Sequence, residues 1–201
     1  MLDKIKKVDK FQLEILIRES FWNIYQEGCD EHLIVEKIFD DECFVPSLSY
    51  CYKENGIIKG AIFYALGDIK CLDGNNRKVL FFGPLGVHPK YQKQGIGTKL
   101  IKYTLKLAKN MGYPFVIITG NPNYYHRFGF ESVTKYNIRY DYMLENEEHN
   151  YFMICKLNEC DLSKYAGIYE DPKIYAIDKE ELLEFEKKFI KMDKKTPSSI
   201  Q

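Results

Sequence analysis

The residues best suited to chemistry lie in a glycine-containing turn between a predicted strand and a predicted helix. The segment reads Val87-His88-Pro89-Lys90-Tyr91-Gln92-Lys93-Gln94-Gly95-Ile96-Gly97-Thr98. Gly95 and Gly97 permit a close backbone approach, and a helix start offers unpaired N–H groups and the positive end of its dipole. Such a turn can bind a pyrophosphate, although two glycines also suit a tight strand-to-helix turn without a ligand. No Gly-Lys-Ser/Thr follows, and the first glycine of Gly-x-Gly-x-x-Gly is missing, which argues against a Walker loop and a dinucleotide fold.

A second candidate element follows the next predicted strand and reads Tyr125-His126-Arg127-Phe128-Gly129-Phe130. Together with Leu85-Gly86-Val87 and Gln92-Lys93-Gln94-Gly95-Ile96-Gly97, it resembles the GNAT superfamily of N-acetyltransferases. Motif A of that family is Gln/Arg-x-x-Gly-x-Gly/Ala, and a later element is Tyr-x-x-x-Gly-Phe. The resemblance covers residues 44–157, and residues 83–89 are similar to a bacterial subgroup of uncharacterised acetyltransferases.

The resemblance implies an α/β fold with a mixed (α+β) sheet, in which acetyl-CoA lies between two splayed central parallel strands. Here those strands are residues 79–87 and 115–119. Backbone groups at the end of the first strand would pair with the acetyl carbonyl and pantetheine, and the N–H groups of the glycine turn would cradle the pyrophosphate. The implied cofactor-binding residues are Leu85, Gly86, Val87, Gln92, Lys93, Gln94, Gly95, Ile96, Gly97, Thr98, Asn121 and Tyr125.

The reaction implied by the resemblance is direct transfer of the acetyl group of acetyl-CoA to a primary amine of a small molecule or protein. Tyr125 matches the position of the family's general-acid tyrosine and would protonate the departing thiolate. A backbone N–H near Leu85 would stabilise the oxyanion. Tyr125 and Leu85 are therefore the predicted catalytic residues, and no metal ligand is predicted. A CoA-binding regulatory module without turnover is the alternative function.

The general base stays open. Asp40, Asp41 and Glu42 could face an incoming amine, but an acidic run is usually solvated, and water could also take the proton. His88 and His126 are both interpreted as exposed surface residues.

Apolar periodicity predicts the elements that position this site. The predicted helices are residues 11–25, 32–39, 95–111, 124–128 and 179–192, and the predicted strands are 48–52, 57–66, 79–87, 113–119, 136–140 and 151–157. In the first helix, Glu14, Arg18 and Glu19 are placed largely on the polar side. The order strand, helix, strand from 79 to 119 indicates parallel pairing. We predict an acetyltransferase domain over 1–160 and a C-terminal extension over 161–201, with one helix and a polar tail from 194.

The charge of the chain is balanced overall but unevenly distributed. The 201 residues include 29 basic and 29 acidic side chains, which argues against a dedicated nucleic-acid binder or a polybasic membrane protein. Residues 74–130, which hold both motifs, carry nine basic and no acidic side chains. That segment suits a polyanionic cofactor, although chance clustering on solvated faces would give the same count.

Cysteine usage and hydropathy bear on the compartment. The six cysteines show no zinc spacing and are expected to be reduced, and no stretch approaches the roughly 20 apolar residues of a membrane span. We therefore expect a cytoplasmic enzyme whose partners are acetyl-CoA and an unidentified amine, not nucleic acid or a membrane. Whether the late strands or the tail form a homodimer contact stays open.

Overall fold

The computed structural model of the chain describes residues 1–143 and 149–197. The last four residues of the predicted polar tail, 198–201, lie outside the described residues. The α-helices are α1 (Lys10–Phe21), α2 (Glu31–Ile38), α3 (Ile96–Asn110), α4 (Pro122–Tyr125) and α5 (Lys179–Glu186). The strands are β1 (Leu2–Lys4), β2 (Tyr50–Glu54), β3 (Ile57–Cys71), β4 (Asn76–Val87), β5 (Phe115–Thr119), β6 (Glu131–Ser132), β7 (Ile138–Arg139), β8 (Phe152–Lys156) and β9 (Gly167–Glu170).

The strands form a mixed sheet, as predicted. Hydrogen bonds connect them in the order β1-β2-β3-β4-β5-β8-β6, while β9 pairs with both β3 and β7. β4 and β5 are parallel, which confirms the pairing inferred from the strand–helix–strand order. Asn55 and Gly56 join β2 to β3 with φ angles of 51° and 79°, the left-handed values that a tight hairpin turn requires.

The predicted splaying of the two parallel strands is confirmed by their register. Parallel pairing joins Leu80 to Val116 and Phe81 to Ile117. β5 then stays paired with β8 as far as Thr119, whereas β4 continues to Val87. The two strands therefore separate after Phe81, before either of them ends.

Several element boundaries differ from the predictions. β3 continues to Cys71, beyond the predicted end at residue 66. Gly60 lies within the strand at a close-packing position, since a Cβ there would lie 2.8 Å from Ile96 Cγ2. α1 ends at Phe21 rather than near residue 25, since Asn23 turns the chain with a φ of 58°. α5 ends at Glu186 rather than at residue 192. β1, β6 and β9 were not predicted.

The chain divides into two compact units, whose boundaries fall within β3, β4 and α3. Unit 1 comprises Met1–Phe63, Pro84–Leu100 and the chain from Lys173 onward; unit 2 comprises Tyr64–Gly83 and Ile101–Pro172. The segment after residue 160 therefore contributes β9 to unit 2 and α5 to unit 1. That the acetyltransferase domain ends at residue 160 stays a prediction.

Each unit has its own apolar interior. In unit 1, α1 packs against α2, and the most buried side chains include Leu13, Ile17, Leu33, Val35 and Ile38. In unit 2, large aromatic side chains fill the interior, namely Tyr64, Phe115, Phe152 and Tyr169. Over residues 1–143 and 149–197, no helix is long and apolar enough to cross a membrane.

The predicted polar side of α1 is wrong at two positions. Glu14 is 2% exposed and Arg18 is 4% exposed, while Glu19 lies at the surface as expected. Both buried residues meet charged partners from other elements, Glu36 of α2 and Glu186 of α5. Helical periodicity within α1 could not reveal those partners.

Glu14 makes the stability of unit 1 depend on pH. The pKa of Glu14 is raised to about 7 by burial first, then by a hydrogen bond with Glu36 and by the charge of Glu36, against the opposing charges of Lys10 and Lys188. Because this pKa lies above the ordinary value of 4.5, the folded protein keeps a proton that the unfolded chain releases. The contribution to stability is therefore complete below the lower value and is lost as the pH rises to about 7.

The variant Glu14→Gln tests this dependence. A glutamine cannot ionise and can still donate a hydrogen bond to Glu36. The quantity to follow is the free energy of unfolding of the variant minus that of the wild type. This difference should increase by on the order of 2 kcal/mol between about pH 5 and about pH 8. Urea denaturation at the two pH values measures this difference, and the subtraction removes the contributions of Glu31 and His32, whose pKa values are also shifted. The same substitution at exposed Glu42 is the control. A difference in the free energy of unfolding that does not change with pH would contradict the raised pKa of Glu14.

Candidate active site

The predicted cofactor turn lies wholly within unit 1 and has the geometry of an anion site. β4 ends at Val87, a single 3-10 turn covers Pro89–Tyr91, and α3 begins at Ile96. Lys93 and Gly95 adopt left-handed φ angles of 59° and 77°. The first bond of the helix runs from the Lys99 N–H to the Gly95 carbonyl at 3.0 Å, so the N–H groups of residues 96, 97 and 98 precede the helical ladder.

Two side chains of the turn bond to its own backbone. Gln92 Nε2 donates to the carbonyl of Val87 at 3.1 Å, and Gln94 Nε2 donates to the carbonyl of Lys90 at 3.3 Å. Their contribution to the site is therefore to hold the shape of the turn. Residues 92–95 are exposed, so a ligand can reach the backbone of the turn from solvent.

The charge around the turn remains positive. Within the acid-free segment, Arg77 and Lys78 are neutralised by Asp73 and Asp68. Lys90 and Lys93 are exposed and form no ion pair within the described part of the chain. The turn itself therefore offers two available cations, where a pyrophosphate would need them.

The strand end beside the turn has two different faces. Gly86 is buried against α1: a Cβ there would lie 2.7 Å from Ile17 Cδ1 and 3.0 Å from Ser20 Oγ. Leu85 and Val87 are half-buried and point to the opposite face, because side chains alternate along a strand. The structure thus places Leu85, Gly86 and Val87 together with the glycine turn in unit 1.

His88 is not the simple exposed residue that the sequence predicts. Its Nδ1 accepts a hydrogen bond from the N–H of Lys90 at 3.1 Å, and its Nε2 lies 2.7 Å from Glu19 Oε2 on α1. Its own N–H donates to the carbonyl of Lys59 on β3 at 3.0 Å. His88 therefore ties the start of the cofactor turn to both α1 and β3. Glu19 was not among the predicted site residues.

The acidic run after α2 behaves as a solvated segment. Asp40 pairs with the exposed Lys7. Asp41 Oδ1 accepts the N–H of Cys43 at 2.8 Å, and Glu42 is exposed. Local backbone and surface contacts therefore occupy Asp40 and Asp41.

Tyr125 lies in unit 2 at the end of the four-residue helix α4. Its ring contacts those of Phe82, Phe130 and Tyr124, with centroids 6.0, 5.8 and 5.0 Å away. Gly120 makes room for it, since a Cβ at that position would lie 2.5 Å from Tyr125 Cε2. The Tyr125 ring is therefore packed on several sides by other side chains and by the backbone at Gly120.

Asn121 and Gly129 delimit the Tyr125 turn. Asn121 Oδ1 accepts the N–H of Asn123 at 2.9 Å, and the Asn121 carbonyl accepts the N–H groups of Tyr124 and Tyr125. Gly129 ends the segment with a left-handed φ of 89°. The observed contacts of Asn121 are thus those of a helix cap, and its predicted cofactor contact stays a prediction.

His126 is exposed, as interpreted from the sequence. It borders a cavity of about 530 Å³ in unit 2, whose other lining residues are Phe130, Glu131, Ser132, Thr134, Lys135 and Asn150. All six cysteines are free thiols. Over the two described ranges, no three His, Cys, Asp or Glu side chains are grouped so as to hold a metal ion.

Comparison with known proteins identifies the family. The model of the acetyltransferase (GNAT) family matches residues 14–130. The uncharacterized N-acetyltransferase YjhQ of Escherichia coli K12 is 32% identical over 99 residues, which are 49% of this chain and 54% of that protein. The uncharacterized N-acetyltransferase YhbS of the same strain is 27% identical over 132 residues, 66% of this chain and 74% of that protein. The chain thus spans about half the length of the first relative.

Solved structures show the same fold. The crystal structure of E. coli YhbS in complex with CoA has a TM-score of 0.74 and 21% identity, and the match covers 88% of this chain and 92% of that one. A GNAT family acetyltransferase from Brucella melitensis in complex with acetyl-CoA has a TM-score of 0.69 and 20% identity, with 87% and 97% covered. From the family model, the curated relatives and the shared fold, the chain belongs to the GNAT acetyltransferase family.

Proposed function

We propose that the protein is an acetyl-CoA-dependent N-acetyltransferase that moves the acetyl group directly to a primary amine. The observation that carries the proposal is the turn at residues 92–98. It combines a left-handed Gly95, helix-start N–H groups and unpaired cations directly after a strand end. Relatives of the same fold have been solved with CoA or acetyl-CoA bound.

In the proposed complex, the backbone of unit 1 binds most of the cofactor. The N–H groups of residues 92–98 face the pyrophosphate, and the helix dipole of α3 favours its charge. Backbone groups of Leu85 and Val87 pair with the acetyl carbonyl and the pantetheine arm. Lys93 supplies a cation within the turn.

The proposed reaction needs no covalent enzyme intermediate. The amine nitrogen attacks the thioester carbon, and the N–H near Leu85 stabilises the negative charge that develops on oxygen. The C–S bond breaks with its electron pair on sulfur, which takes a proton from the Tyr125 hydroxyl. The nitrogen releases one proton to solvent as the amide forms, and solvent restores the proton of Tyr125. Holding amine and thioester in line contributes on the order of 7 kcal/mol to lowering the barrier.

Titration with acetyl-CoA tests the cofactor site. Acetyl-CoA at about 100 times its Kd should stabilise the wild type by about 2.7 kcal/mol, and this appears as a rise in Tm. Gly95→Val should abolish the rise, because a β-branched residue disfavours the φ of 77° and the turn must reshape. Thiol release in the presence of primary amines then reports turnover.

Gly56→Val is the matched control for the backbone cost. Gly56 has a φ of 79°, and a Cβ there meets nothing within 4 Å, as at Gly95, but it lies in the β2–β3 hairpin. The control should lose a similar amount of stability and keep the acetyl-CoA response. If acetyl-CoA fails to stabilise the wild type, the proposal is wrong. Stabilisation without thiol release for any amine would favour the regulatory module.

A further inference from the structure

The contact between Glu19 and His88 joins α1 to the cofactor turn within unit 1. Glu19 Oε2 lies 2.7 Å from His88 Nε2, and the two side chains are 36% and 23% exposed. Each of the two side chains is therefore partly exposed to solvent while it contacts the other. A carboxylate held in this way keeps lone pairs available for another donor.

Backbone contacts hold His88 in place beside Glu19. Nδ1 accepts the Lys90 N–H at 3.1 Å, and the His88 N–H donates to the carbonyl of Lys59 at 3.0 Å. With Nδ1 occupied as an acceptor, a neutral imidazole carries its proton on Nε2, the atom that faces Glu19. The Glu19 side chain thus lies beside a segment, residues 74–130, that contains no acidic residue.

The pair lies beside the strand end to which the acetyl group is assigned. Gly86 is the penultimate residue of β4, and His88 directly follows the end of that strand. Gly86 approaches Ser20, the residue after Glu19, with 3.0 Å between Ser20 Oγ and a Cβ placed at Gly86. Glu19 thus reaches this end of β4 from the side of α1.

We propose that Glu19 is the general base of the acetyl transfer and that His88 is its positioning residue. This inference rests on the proposed function and assigns the acceptor as an amine that arrives as a cation. The Glu19 carboxylate attracts the ammonium group and takes its proton. The neutral nitrogen forms the N–C bond while the C–S bond breaks and Tyr125 protonates the sulfur, and the nitrogen then loses its second proton to solvent to give the neutral amide. Solvent also receives the proton from Glu19 and restores that of Tyr125.

The experiment follows thiol release by the full chain with putrescine, tyramine, glucosamine and a lysine-containing peptide, over a range of pH. Glu19→Gln should lower kcat/KM by about 100-fold near neutral pH. The deficit should shrink by about tenfold for each pH unit toward the pKa of the amine, because solvent then deprotonates the amine instead. The rise in Tm with acetyl-CoA should be unchanged.

Two further variants separate base catalysis from a structural role. His88→Gln retains a side-chain N–H that can donate to Glu19, and it should lose about tenfold in kcat/KM, less than Glu19→Gln. Glu184→Gln is the control, since Glu184 is exposed and pairs only with exposed Lys187 among its described contacts. If Glu19→Gln does not fold, the pH profile of His88→Gln decides the question.

The outcomes distinguish this inference from the function on which it rests. A wild type without turnover for every amine would overturn both. A wild type that turns over, with a Glu19→Gln profile parallel to it at all pH values, would overturn the base assignment alone. A wild type that prefers uncharged amines would also contradict it.

Discussion

Tyr125→Phe should lower kcat by about 10²- to 10⁴-fold while leaving the affinity for acetyl-CoA unchanged. The substitution removes only the hydroxyl, and with it the proton for the departing thiolate. The ring stays in place, because Phe82, Phe130 and Gly120 surround it through its carbon atoms. Steady-state thiol release gives kcat, and the thermal shift with acetyl-CoA gives affinity.

Tyr124→Phe is the matched control for this substitution. Tyr124 is the chain neighbour of Tyr125, and its ring lies under the Arg127 guanidinium at 4.2 Å. It loses the same hydroxyl from the same helical turn, so its kcat should stay within a few-fold of the wild type. Equal losses in the two variants would point to the packing of the turn, and an unchanged kcat in Tyr125→Phe would remove Tyr125 as the acid.

Glu186→Ala should destabilise unit 1 by about 3–5 kcal/mol, the cost of leaving a buried charge without its partner. Arg18 is 4% exposed, and its Nε and Nη2 donate to the Glu186 carboxylate at 3.0 and 2.8 Å. Trp22 and Phe189 cover the guanidinium, with ring centroids at 4.2 and 5.3 Å. Water therefore cannot replace the lost carboxylate without opening the contact between α1 and α5.

His32 adds to the cost of removing Glu186. Its Nε2 lies 2.6 Å from Glu186 Oε1, and burial lowers the pKa of His32 to about 4, so the ring is neutral. Cys29 Sγ lies 3.5 Å from the other ring nitrogen. The alanine variant would remove the carboxylate that lies beside both the histidine and the arginine.

Urea denaturation of three variants measures the effect. Glu184→Ala, two residues earlier in α5 and exposed, should change the free energy of unfolding by less than about 0.5 kcal/mol. Glu186→Gln keeps an acceptor for Arg18 and should fall between the two. A loss for Glu186→Ala as small as that for Glu184→Ala would mean that the buried pair contributes no stability.

Local signals explain why the central part of the molecule could be predicted. The glycine turn, the amphipathic helix α3 and the short apolar strand β5 are specified by neighbouring residues, and all three were found within a few residues of the predicted positions. The turn between β3 and β4 is equally local, because Gly74 has a φ of 82° there. Each of these features depends on spacing within a single segment.

Features set by distant partners could not be predicted. Glu14 and Arg18 look like surface residues in the sequence of α1 and are buried only because α2 and α5 supply the contacts. β9 is four residues long, and its pairing with β3 and β7 makes it a strand. A short segment carries too few residues to reveal such a partner.

The site shows the same division. The residues of the turn and Tyr125 were named from motifs, whereas the contact between Glu19 and His88 joins segments 69 positions apart, from position 19 to position 88. One signal was present in the sequence. A glycine within a strand, such as Gly86 in β4, often marks a close approach of another element, and here Ile17 and Ser20 of α1 lie against it.

The carboxylate that completes the buried pair comes 168 residues after its arginine. Domains fold as the ribosome releases them, from the N-terminal end onward. α1 leaves the ribosome before α5, so Arg18 has no carboxylate partner until α5 has also emerged. During synthesis, the Arg18 guanidinium therefore stays solvated. Unit 1 is completed only when α5 has emerged and packed against α1.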